Sequence, residues 1–94
     1  MQVLPTDQNI SILSGVLFFC GKWCQPCKIV ERQLQKYVDV EMWKIDIEEH
    51  PNLVSKLNIS TVPTLVFIKD GEVAESIIGS VSETRLLGAI KNIA

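Results

Sequence analysis

The 94-residue chain has no basic run or stripe, and its 9 Lys and Arg against 11 Asp and Glu leave a formal net charge of −2. Without a positive footprint, nucleic acid is not an expected partner. Long apolar runs are also missing. Val16–Cys20 is far too short to span a bilayer. Met1–Ile10 carries no Lys or Arg, so no signal peptide is expected and the cytoplasm is the default location. There is no internal repeat, low-complexity tract or linker, and 94 residues suffice for one core, so a single domain over 1–94 is expected. Histidine occurs once and cysteine three times, an odd number that rules out a fully paired disulfide scaffold.

Hydrophobic residues at 47% and charged residues at 21% are the balance of an ordinary globular protein. The scarce cysteines are concentrated. Residues 23–28 read Trp23-Cys24-Gln25-Pro26-Cys27-Lys28, where a strand signal gives way to a helix signal. Side chains at i and i+3 of a helix sit about 5–6 Å apart at Cβ, so a tightened first turn lets such a pair close and reopen a disulfide. At a helix start the unpaired backbone N–H groups and the positive dipole end favour thiolate over thiol. Zinc is the competing use. A closed site would need Cys20, Cys24, Cys27 and His50 to converge from a strand, a helix start and a distant segment, so redox use is preferred and no metal is expected.

The rest of the chain reads as alternating elements. Gln2–Leu4 is a short edge strand, and Asp7–Leu13 a turn of helix. Val16–Cys20 is continuously apolar, as in a strand buried on both faces, and Gly21 and Lys22 break it. From Cys24 to Val38 the period is helical: Cys27, Val30, Leu34, Tyr37 and Val38 share one face, and Lys28, Glu31, Arg32, Gln35 and Lys36 cover the other. A strand over Val40–Ile47 follows. Pro51 opens a short helix with Leu53, Val54 and Leu57 inward, and His50 before it is expected to be solvent-exposed, without chemistry. Strands at Thr64–Lys69 and Glu72–Ile78 flank Asp70-Gly71, a tight-hairpin signal. A helix over 81–93 closes the chain, with Ser80 and Glu83 resembling a capping box. This order predicts a mixed central β-sheet flanked by helices on both faces.

On these residues the chain resembles the thioredoxin family from Val16 onward. Trp23, Cys24, Pro26, Cys27 and Lys28 match the family's W-C-x-P-C-K motif. Val62-Pro63-Thr64 matches its apolar residue and cis-proline before a strand, and Lys69–Val73 and Gly79 fall where the family has a hairpin and a glycine. The resemblance implies a thioredoxin fold with a shortened N-terminal β-α unit. It implies a disulfide reductase in which the Cys24 thiolate attacks a target disulfide and Cys27 resolves the mixed disulfide. Disulfide-bearing proteins would be the targets and a flavin-dependent thioredoxin reductase the recharging partner. No cofactor is implied, since the electrons reside in the two sulfurs, and the protein is expected to be a monomer. Trp23 would pack over the dithiol and join the docking surface. Pro26 would restrain the turn. Val62, Pro63 and Gly79 would border the substrate site. Lys22 and Lys28 are solvated charges that raise the positive potential nearby.

Several positions depart from the family. Its buried aspartate six residues before the first motif cysteine is replaced by Phe18. The lysine that accompanies that aspartate is kept as Lys44, which must reach water, find Asp46 or another acceptor, or titrate low. Cys20 replaces a tryptophan and shares a strand face with Phe18, so it is either a buried inert thiol or a third redox thiol. Gln25 replaces a glycine and adds a side chain to the docking surface, which would narrow partner choice. Two further functions stay open: a glutathione-coupled, glutaredoxin-like enzyme, and a binding module of the same fold with a regulatory dithiol.

Overall fold

The computed structural model describes residues 1–4 and 14–94; the helix expected over Asp7–Leu13 lies outside them. The elements are β1 (Gln2–Val3), β2 (Gly15–Cys20), α1 (Gln25–Leu34), β3 (Met42–Asp46), α2 (Pro51–Lys56), β4 (Thr64–Lys69), β5 (Glu72–Ile78) and α3 (Glu83–Asn92). The sheet order is β1-β3-β2-β4-β5. β3 runs parallel to both β1 and β2, while β4 is antiparallel to β2 and to β5.

β2 is central and buried at every position, which is what its unbroken apolar run demands. Its alternate residues feed two cores. Val16, Phe18 and Cys20 pack with Cys27, Val30 and Leu34 of α1, Leu65 and Phe67 of β4, and the inner face of α3. Leu17 and Phe19 face the other way, toward Ile45, Val66 and Ile68, with Leu53 and Val54 of α2 against them. Helices therefore cover both faces, as the pattern predicts. Asp70 and Gly71 both have positive φ, 52° and 81°, the geometry that joins β4 to β5 in a tight turn.

Element ends differ from the sequence reading in three places. α1 stops at Leu34 instead of reaching Val38. The chain turns through Tyr37 N–H to the Leu34 carbonyl and Val40 N–H to the Tyr37 carbonyl, at 3.0 and 3.3 Å. Val38 and Val40 are β-branched and favour this exit over further helix. Val38, assigned to the core face, is exposed. β3 accordingly begins at Met42 and ends at Asp46, shorter than Val40–Ile47.

The cap of α3 is Ser82, not Ser80: its hydroxyl accepts from the Arg85 N–H at 3.1 Å. Val81 is buried just before it, so the helix cannot begin earlier without withdrawing that side chain from the core. Glu83 is the first helical residue and bonds across to Lys36 and Tyr37. Those bonds, that from Lys36 above all, hold its carboxyl below the ordinary range, whereas Glu83 raises the Tyr37 phenol.

The exposure expected for His50 is also corrected. This residue is buried, and its ring Nε2 lies 3.1 Å from the Leu4 carbonyl, to which it donates. The short edge strand β1 needs an anchor at its end, and this contact supplies one.

Candidate active site

The loop from Gly21 to Cys24 carries the chain from the C-terminal end of β2 into α1. Cys24 is the N-cap of α1, with extended backbone (φ −92°, ψ 103°), and its Sγ accepts from the Cys27 N–H at 3.2 Å. A side chain that satisfies one of the four unpaired N–H groups of a helix start is the ordinary capping arrangement; here sulfur fills the role usually taken by oxygen. Cys24 and Cys27 are joined as a disulfide, with Cα atoms 5.3 Å apart. Pro26 sits in the first turn, where its missing N–H has no intrahelical partner to lose.

The two sulfurs are not equivalent. Cys24 is half-buried at the surface, whereas Cys27 is 4% exposed and packs into the core with Phe18 and Val30. Gln25, Pro26 and Lys28 are exposed around them. Trp23 is 94% exposed and packs over nothing, in contrast to the lid over the dithiol that its position suggests. The turn at Lys22-Trp23 projects it away from the core.

The Val62-Pro63 peptide bond is cis. This loop abuts the dithiol loop: a Cβ on Gly21 would lie 3.8 Å from Val62 Cγ2, and Val62 and Cys24 flank the same core cluster. The Gly79 N–H donates to the Pro63 carbonyl at 2.9 Å, which ties the end of β5 to the cis-proline. Gly79 has φ +79°, a conformation that glycine adopts without strain. Thr64 Oγ1 donates to the Thr61 carbonyl at 2.6 Å and braces the same turn. Gly79 and Pro63 thus meet at the loop whose Val62 abuts the Gly21 start of the dithiol loop.

Behind the dithiol lies a cavity of about 310 Å³. Cys24, Cys27, Cys20, Glu31 and Lys44 all line it. Phe18 is fully buried in the core beside it, so no carboxylate enters from β2. Lys44 is not left unpaired. Its Nζ lies 2.9 Å from Glu31 Oε1, the two side chains being 42% and 29% exposed. The bond to Glu31 raises the Lys44 ammonium above its ordinary value, outweighing the opposing effect of burial. The sequence reading placed Glu31 on the solvent face of its helix and left Lys44 to reach water, find Asp46 or another acceptor, or titrate low; the other acceptor is Glu31. Asp46 instead caps its own turn, accepting from the Glu48 N–H at 2.9 Å. The signal for Glu31 was its spacing of four from Cys27, one helical turn along the edge of the buried face.

Cys20 is the free cysteine among the described residues. Burial pushes its thiol up, more than nearby Lys44 pulls it down, which favours the protonated form. Among the described residues no three His, Cys, Asp or Glu side chains are grouped to hold a metal, and no helix is long and apolar enough to cross a membrane.

Known proteins are similar to this chain. The family model described as Thioredoxin matches residues 7–92. The mitochondrial thioredoxin of Mus musculus is 36% identical over 83 residues, covering 83% of this chain and 50% of that protein. The chain thus spans about half the length of that relative. A thioredoxin of Staphylococcus haemolyticus is 33% identical over 86 residues, covering 82% of this chain and 83% of its own. Among solved structures, a thioredoxin of Malassezia sympodialis superposes with a TM-score of 0.83 at 28% identity, over 98% of this chain and 89% of that one. The oxidised mitochondrial thioredoxin 3 of Saccharomyces cerevisiae gives 0.75 at 33% identity, over 89% and 84%. With the dithiol at the helix start, the cis-proline beside it and the five-stranded mixed sheet beneath, this chain belongs to the thioredoxin family.

Proposed function

We propose that this protein reduces protein disulfides by dithiol exchange. The observation that carries the reading is the asymmetry of the pair: Cys24 Sγ caps α1 at the surface, and Cys27 waits buried directly behind it. The Cys24 thiolate attacks one sulfur of a target disulfide and expels the other as a thiolate. The backbone N–H of Cys27 and the positive end of α1 stabilise that nucleophile. Cys27 then attacks Cys24 Sγ, the mixed disulfide breaks, and the reduced target leaves.

The target docks where Val62, Pro63 and Gly79 border the dithiol, with exposed Trp23 offering apolar surface alongside. Gln25 and Lys28 flank the same surface and restrict which partners fit. A flavin-dependent thioredoxin reductase recharges the pair, and the protein acts as a monomer formed by one domain over 1–94. A reducing compartment, the cytoplasm in our reading, suits a protein that keeps Cys20 as a free thiol.

Insulin reduction separates this function from its rivals. Turnover is expected with thioredoxin reductase as the electron source. Turnover with glutathione alone would make the protein glutaredoxin-like, and no turnover with either would leave a binding module.

A further inference from the structure

Resolution by Cys27 requires a buried thiol to lose its proton, and this chain has Phe18 where a carboxylate could have stood on β2. Resting on the exchange function above, we propose that Glu31 is the positioning residue that receives the Cys27 proton through the cavity behind the dithiol and passes it to solvent beside Lys44. Three observations converge on it. Glu31 lies four residues after Cys27 on α1, so the two side chains are neighbours along one edge of the helix. Both line the same cavity, whose volume of about 310 Å³ is ample for bridging water. Lys44 fixes the carboxylate by a 2.9 Å contact, and both groups reach solvent on their outer sides.

The other ionisable groups facing this cavity are less suited. Cys20, from β2, is itself a thiol with its proton held by burial. Lys22, from the preceding loop, and Lys28, from α1, are cationic. On β3, Lys44 carries its charge on Glu31, and Asp46 is engaged by the Glu48 N–H. Before α2, Glu49 is exposed, and His50 is tied through its Nε2–H to the Leu4 carbonyl on the β1 side, which leaves only its Nδ1 able to accept.

The step balances without an outside reagent. Cys27 Sγ bonds to Cys24 Sγ as the bond from Cys24 to the target sulfur breaks, and the target leaves as thiolate. The Cys27 proton goes to a Glu31 carboxylate oxygen and then to solvent, from which the departing thiolate is protonated.

The sign of one substitution distinguishes this role from a passive charge. A carboxylate acting only by its field disfavours a nearby thiolate, so its removal would lower the thiol's titration point and speed resolution. A proton acceptor does the opposite. The test mixes reduced protein with an equimolar aromatic disulfide, 5,5′-dithiobis(2-nitrobenzoate), in a Cys20→Ala background that removes the third thiol. Release of the coloured thiolate occurs in two phases, attack by Cys24 and then resolution by Cys27. In Glu31→Gln the ratio of second-phase to first-phase rate is expected to fall about a hundredfold near pH 7, the low end of what a positioned proton acceptor contributes, with the second-phase profile displaced to higher pH. Glu31→Asp should recover part of it. A second phase in Glu31→Gln that is unchanged or faster overturns the inference. Absence of the first phase in the background protein would overturn the exchange function instead.

Discussion

Cys24→Ser is expected to lower insulin-reducing activity by a factor on the order of a thousand or more, the scale on which enzymes lose rate when a covalent nucleophile is removed. The hydroxyl of serine preserves the shape of the N-cap and accepts the same backbone N–H, so α1 should keep its start. What disappears is the ionised sulfur. A hydroxyl at this site gains nothing comparable from the helix end, because its ionisation lies too far above neutral pH for a partial positive charge to reach. Cys27→Ser is expected to fail differently: the first attack proceeds and the complex with the target persists. Steady-state insulin assays of the two variants beside thermal melts separate lost chemistry from lost fold. If Cys24→Ser retained substantial turnover with its fold intact, Cys24 would not be the nucleophile.

The second large effect is on stability. Phe18 is fully buried, lies between Lys44 of β3 and Leu65 of β4 in the sheet register, and packs on the face that α1 and α3 cover. Phe18→Ala removes a large ring from a region with little freedom to collapse and should cost about 3–5 kcal/mol. A domain of this size then loses roughly 12 °C or more in Tm. Phe18→Asp is the more informative variant. It places a carboxylate next to Lys44 in register, yet at a fully buried position, with Lys44 already held by Glu31. Loss of the ring and desolvation of the charge should make it no more stable than Phe18→Ala. Urea unfolding of the two proteins at neutral pH decides: an aspartate variant clearly more stable than the alanine variant would mean that Lys44 lacks an adequate partner in the parent chain.

Much of this architecture was legible from local signals. The unbroken apolar run of β2, the Asp70-Gly71 turn and the bounds of β4 and β5 follow from burial and turn chemistry that neighbouring residues already fix. The dithiol was legible from its motif and spacing, and the cis-proline only because the resemblance to the thioredoxin family implied it. The misses share a different cause. Val38 fits the apolar stripe of α1 by periodicity, but the helix ends earlier because the chain must turn into β3, and periodicity carries no information about that requirement. Ser80 and Ser82 are equally good caps by residue type, and only the burial of Val81 selects between them. His50 is 46 residues from Leu4, and Glu31 is 13 from Lys44, so both contacts are settled by tertiary placement. Trp23 was placed over the dithiol and on the docking surface by the family resemblance, whereas the turn that delivers Cys24 to the helix start leaves it exposed with nothing beneath it.

The central claim is that the surface sulfur attacks and the buried one resolves. Its most direct measurement is capture of the mixed disulfide: the Cys27→Ser protein, reduced and mixed with a disulfide-bearing target, is digested without reductant and mapped by mass spectrometry. The account predicts one accumulating adduct, with the target sulfur bonded to Cys24. A target bonded to Cys20, or no adduct while the target is nonetheless reduced, would contradict it.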